Sequence, residues 1–364
     1  VDVATAAQPA PVRQLLDRAF TPVAWIEEWV RRRFAFAFII FVGLVVLNEL
    51  SLFGADVAHW DWLYVTGSLT FVVGWRVALG LPQLARDTVG RLAGRQVLTG
   101  DADRLHAYLA RTTEAWSRAL GVATAVAVGL AFAAALGPAF GGQAWFAFTA
   151  AVAGLFVGRR FGASVAIGRL GSAIERGKWE IRTQPGHIDG AAGLKPIGDL
   201  YFRQAVILAI PAAFLAIWWL AIPITGRYAR WRDPYLGLLA VAIAVELAAF
   251  IMPMVSFHRV MRRQKRELVA RADSDSRRLH ELEERLPHIV EDDERDSIAD
   301  RVKRMQDYYR VVEDMPTWPV DPPTRRRLSV NNLLLLLPLV AKTVGLALPG
   351  GDLLRGLAEI FGSG

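Results

Sequence analysis

Two ionisable side chains sit inside apolar stretches of this sequence. Glu246 lies at the middle of PYLGLLAVAIAVELAAFIMPMVSF, and Arg76 lies in WLYVTGSLTFVVGWRVALGL, about five residues before its end. An ionised group at the centre of a bilayer costs about 2.5 to 3.5 kcal/mol on insertion scales, so each needs a partner or a water-filled cavity. One reading makes Glu246 and Arg76 part of a permeation or proton path. The other makes them an ion pair that fixes two helices, or an arginine that snorkels to the interface beside a protonated glutamate. Asn48 and Glu49, near the outer end of the first apolar run, fit an outer vestibule or an ordinary membrane interface.

A second pair lies in a polar loop, QPGHIDGAAGL. His187 and Asp189 are two apart, and a metal needs three or four ligands, so a turn in which Asp189 caps backbone amides is the stronger reading. The sequence has no cysteine, which removes disulfides, thiolate metal sites and cysteine nucleophiles. It contains no phosphate-binding GxxxxGK[ST], no HExxH and no GxSxG. A metal, a cofactor and an enzymatic activity are therefore not expected.

The elements that must position these residues are membrane helices. Composition is 53% hydrophobic and the apolar residues are gathered in blocks, which predicts an all-α polytopic bundle. The run from Pro234 to Phe257 has about 24 residues, enough to cross a bilayer as a helix. Six spans are expected, at about 34–53, 62–81, 120–140, 144–166, 204–224 and 234–257. A stretch at 328–348 is long enough for a seventh, which is the first choice there, and Asn331, Asn332, Pro338 and Lys342 make a re-entrant or interfacial helix the second. The first run, behind Arg31 to Arg33, reads as a span and not as a signal peptide.

Four regions follow from this: an interfacial amphipathic helix in 1–33, a six-span domain in 34–258, a cytoplasmic helical hairpin in 259–316, and a membrane-returning segment with a short amphipathic helix in 317–364. A helix packed on the hairpin is an equal alternative for the first region. Gly154, Gly158 and Gly162 recur every fourth residue and predict close helix packing, within the chain or against a second copy. Ile298, Val302, Met305, Tyr309 and Val312 are spaced by fours and threes, the seam of an antiparallel coiled coil with Ala272, Leu279, Leu282 and Leu286. Arg259, Arg262, Arg263, Lys265 and Arg266 form a basic collar suited to lipid headgroups. The segment between Gly168 and Phe202 is expected to be irregular.

Nearly all Lys and Arg near spans fall on one side, with only Arg227, Arg230 and Arg232 on the other, so the N-terminus is expected in the cytoplasm. The net charge of +7 follows from that bias and does not imply nucleic acid. In the loop, His187, Asp189, Gly190, Gly193, Leu194 and Gly198 form HxDGxxGL followed by a further glycine. This pattern resembles a loop of uncharacterised bacterial multi-pass membrane proteins, and the resemblance implies that the loop belongs to a shared architecture. A bacterial inner membrane is the expected location. The expected function is an oligomeric channel or transport-type protein with a polar path near spans 2, 5 and 6. The alternative is a membrane-anchored scaffold or signalling protein that presents the hairpin to a cytoplasmic partner.

Overall fold

The computed structural model describes residues 11 to 340, apart from 137–139, 177–178, 226–228, 230–231, 286–291 and scattered positions between 322 and 337. The chain is about 85% helical. The α-helices bounded among the described residues are α1 (Pro11–Arg32), α2 (Phe34–Phe53), α3 (Trp62–Ala78), α4 (Leu81–Gly94), α5 (Ala102–Leu136), α6 (Phe140–Gly168), α7 (Leu170–Glu175), α8 (Lys195–Thr225), α9 (Arg232–Arg285) and α10 (Asp292–Glu313). A two-stranded antiparallel ladder joins β1 (Leu98–Thr99) to β2 (Glu180–Ile181), a small departure from the expected all-helical chain.

Among the described residues, five stretches are long and apolar enough to cross a membrane: α2, α3 with α4, α6 with α7, α8, and the first part of α9. These are the features of a multi-pass membrane protein. The expected span at about 120–140 falls on α5, whose far end lies beside residues outside the description. Most of 328–348, and all of the C-terminal helix expected after residue 350, also lie outside the described residues.

The chain forms two units, 1–81 with 114–163 and 82–113 with 164–364. In the first, α2 and α3 pair through a short connection. Asp61 caps α3 by accepting the Tyr64 N–H at 3.1 Å, which satisfies one of the free first-turn amides. The glycine ladder of α6 faces the backbone of α5. A Cβ on Gly162 would lie 2.3 Å from the Trp116 carbonyl oxygen, and one on Gly158 2.4 Å from that of Leu120. On Gly154 it would stand 3.2 Å from the Thr124 carbonyl oxygen, so only glycine permits this approach along most of the seam.

In the second unit, α8 packs along α9 by side chains. Ala209, Ala212, Ala216 and Trp219 interlock with Leu236, Leu239 and Ile243, and Leu335 joins them. The helix begins at Lys195, nine residues before the expected span and inside the stretch expected to be irregular. Pro196 does not prevent this, because a first-turn residue has no intrahelical acceptor for the N–H that proline lacks. Helix α9 runs from the apolar half into the charged half without interruption, even through Pro253.

Candidate functional site

Polar side chains gather in the second unit where α9 leaves its apolar half. The loop before α8 is built around Asp189. Its Oδ1 accepts the N–H groups of Ala191 and Gly193 at 3.0 Å each, and its Oδ2 accepts that of Lys195 at 3.4 Å. Arg95, at the end of α4, donates from Nη1 to Oδ2 at 2.9 Å. His187 Nδ1 accepts the Asp189 N–H at 3.2 Å, which makes the histidine part of the turn.

The backbone bends this sharply because Gly186, Gly190 and Gly193 take positive φ. At Gly193 a Cβ would also lie 2.7 Å from Val97 Cγ2. Burial alone raises the Asp189 carboxyl. The amides of Gly193 and Ala191, together with His187, overcome that and hold it below its ordinary value.

Three further contacts tie this loop and the hairpin to α9. Gln264 Oε1 accepts the N–H and the hydroxyl of Thr183 at 3.0 and 2.8 Å, while its amide donates to the Ile181 carbonyl. Lys265 donates to the carbonyls of Glu313 at 2.5 Å and Met315 at 2.9 Å. It thereby caps the C-terminus of α10, where a cation is favoured. His258 donates from Nδ1 to the Thr317 carbonyl at 2.7 Å, with its ring stacked on Trp318 at 4.4 Å. The segment after α10 then crosses the first turns of α8. A Cβ on Gly198 would meet the Pro319 carbonyl oxygen at 2.3 Å, and Lys195 pairs with Asp321 at 2.9 Å. The result is a clasp that fixes both ends of the hairpin to one helix.

The basic collar is divided by this arrangement. Arg262, Arg263 and Arg266 are exposed, as a lipid-facing role requires. Lys265 is engaged with α10, and Arg259 pairs with Glu175 at 3.4 Å. Along the hairpin, Gln306 donates to Glu283 at 2.9 Å, so α10 runs antiparallel to α9. Val302, Val312 and Ala272 are buried, and Ile298 and Met305 are half-buried. Tyr309 departs from the expected seam. It is 39% exposed, and Tyr308 beside it 49%, because the buried stripe passes from Val302 to Val312 without it. The side chains of Leu279 and Leu286 lie outside the described residues.

Of the intramembrane candidates, Glu246 is fully buried on the face of α9 that also buries Ile243 and Phe250. Arg76 belongs to the first unit and lies over the Phe34 ring at 5.6 Å. Glu49 accepts the Asp61 N–H at 2.7 Å and is buried, so it holds the α2–α3 connection, with Asn48 half-buried next to it.

The first unit also holds a charge cluster without a sequence signature. Arg159 forks onto Glu27 with distances of 3.0 and 3.1 Å, and Arg160 reaches the same carboxylate at 2.6 Å. Arg118 pairs with Glu114 at 2.6 Å, and the Phe20 ring lies 5.7 Å from the Arg118 guanidinium and 5.3 Å from that of Arg159. Thus α1 is bound to α5 and α6 through its acidic face, while Trp25 stays 66% exposed. Glu27 and Arg159 are 132 residues apart, and only tertiary structure brings them together.

Among the described residues, no three His, Asp or Glu side chains gather as metal ligands would. No family model, curated protein or solved structure matches the chain.

Proposed function

We propose that this protein is a membrane-anchored scaffold or signalling protein that presents the α9–α10 hairpin to a cytoplasmic partner. The observation that carries the reading is the clasp on α9, in which His258, Gln264 and Lys265 hold the loop, the end of α10 and the returning segment. Such a base fixes the hairpin's direction relative to α8 of the same unit, which a scaffold needs and a tether does not. Tyr308 and Tyr309 then stand outward as aromatic contacts of the kind enriched at interface hot spots. The N-terminus lies in the cytoplasm of a bacterial cell on this reading, as the Lys and Arg distribution supports.

Photo-crosslinking in living cells tests it, with the reactive group placed at Tyr309. A discrete heterologous adduct that disappears in Val302→Asp is expected. Adducts to lipid alone, from a hairpin still folded in purified protein, would sink the proposal.

A second reading, an oligomeric channel or transport protein, is favoured by Glu246, a carboxyl at full burial in the middle of a span. Ion flux into liposomes by the wild type, altered in pH dependence or selectivity by Glu246→Gln, is the result it requires.

A further inference from the structure

We propose that the base of α9 binds an anionic phospholipid, with the headgroup on Arg262, Arg263 and Arg266 and an acyl chain along the apolar residues that precede them. Val241, Met252, Arg259, Arg263 and Arg266 follow one another at intervals of eleven, seven, four and three residues, each close to whole turns of 3.6. They therefore form one stripe on a helix that runs unbroken through Pro253. Val241 is 61% exposed and Met252 71%, and Ile251 at 47% flanks them on the side that Arg262 continues, eleven residues on. The stripe changes from apolar to basic between Met252 and Arg259, as a helix does where hydrocarbon gives way to headgroups.

Other groups on the same turns are already engaged. His258, Gln264 and Lys265 hold the returning segment, the loop and the end of α10. Arg259 pairs with Glu175. Among the described residues, Arg262, Arg263 and Arg266 have no ion pair, and all three are exposed. A cytoplasmic charge bias alone would scatter arginines around the helix. Their confinement to the face that also carries Val241 and Met252 is what marks a site.

Side chains of a helix tilt toward its N-terminus, and that end of α9 is the apolar half, so these arginines lean back toward the membrane surface. Arg262 and Arg266 stand roughly 7.5 and 13.5 Å beyond Phe257 along the axis, and their stems span part of that distance. The exposed Glu267 ends the basic run, which confines it to the turns nearest the bilayer. Such a cluster beside a span attracts anionic headgroups. The site stands apart from both functional readings, because neither requires a particular lipid.

Native mass spectrometry of the full-length protein in detergent tests the site, with phosphatidylglycerol, phosphatidylcholine and glycerol 3-phosphate as probes. Phosphatidylglycerol is expected to remain bound where phosphatidylcholine does not, and its retention should fall as salt rises. Arg263→Gln should weaken retention about fivefold, and joint replacement of Arg262, Arg263 and Arg266 by Gln about a hundredfold. The triple variant changes exposed residues and should melt as the wild type does in lipid-free detergent; should it not fold, Arg263→Gln alone carries the test. Arg301→Gln with Arg304→Gln, exposed on α10 and far along the hairpin near the Gln306–Glu283 contact, should leave retention unaltered.

The proposal is overturned if phosphatidylcholine is held equally well, or if the variants at Arg262, Arg263 and Arg266 retain phosphatidylglycerol as the wild type does. It is equally overturned if the α10 pair costs as much per arginine, which would mean attraction by net charge alone. Displacement of the lipid by glycerol 3-phosphate would overturn it too, since that ligand has no acyl chain to lie along α9. Dimers that survive delipidation and vanish in Met252→Ser would assign the stripe to a second copy of the chain instead.

Discussion

Helices α5 and α6 of the first unit and helices α8 and α9 of the second solve the same packing problem by opposite means. Between α5 and α6 the contact is backbone against backbone, with glycines where side chains would stand. Between α8 and α9 it is made by interlocking alanine, leucine, isoleucine and tryptophan. Lipid tails are as apolar as leucine, so in a membrane neither pair gains much from burying hydrocarbon, and both depend on closeness of fit. The difference lies in tolerance. A side-chain interface can relax around a change, whereas a backbone contact has nothing that can rotate away.

Gly162→Ala gives the sharpest test of that difference, because the added methyl would lie 2.3 Å from the Trp116 carbonyl oxygen. We expect a loss of about 3 kcal/mol or more, at the upper end of overpacking costs, or failure to yield monodisperse protein on size exclusion. Leu239→Ala, which removes three carbons from a fully buried site on α9, should cost about 2 kcal/mol in detergent melts. Gly129→Ala comes next. Its new methyl would meet only the Ala151 Cβ at 3.2 Å, and we expect about 1 kcal/mol or less. If one methyl at Gly162 costs less than three carbons at Leu239, the contrast between the two helix pairs is broken.

The second unit adds polar ties to its side-chain packing, and these titrate. Asp189 has a folded value below its ordinary one, so its contribution is complete above the usual aspartate range, near pH ~4, and is lost as pH falls through the lower folded value. Melting temperature should therefore drop on acidification from about pH 5 to about pH 3, and Asp189→Asn should start lower and lose less over that interval. The smallest effect is expected at Tyr309→Ser. An exposed position on α10 should move stability by no more than about 0.5 kcal/mol, which leaves crosslinking as the readout of its role.

Much of this was readable from local pattern. The apolar blocks mark the helices, and the four-residue glycine interval marks the face of α6 that meets α5. The continuity of α9 follows from a run that carries one breaker, Pro253, and no other stop signal between its apolar and charged halves. Residues that act at long range were not readable. Glu27 looks like a solvated residue of an amphipathic helix, and Arg159 like one more cytoplasmic charge, until the fold joins them. Lys265 matches the collar around it in type and spacing, and only the position of the end of α10 assigns it another task. Tyr309 shares the spacing of Val302 and Val312, yet it is 39% exposed where they are buried, a difference that spacing alone does not show.

Helix α9 has 54 residues, or about 80 Å at 1.5 Å per residue. A helix of that length resists twisting far more than a jointed chain does. Rotation imposed near Glu246 would reach Lys265 largely unattenuated and would change the direction in which the hairpin points. Pro253, which lacks an N–H for the helical ladder, is the one compliant position between them. The stiffness of that single turn sets how closely the apolar and charged halves of α9 turn together.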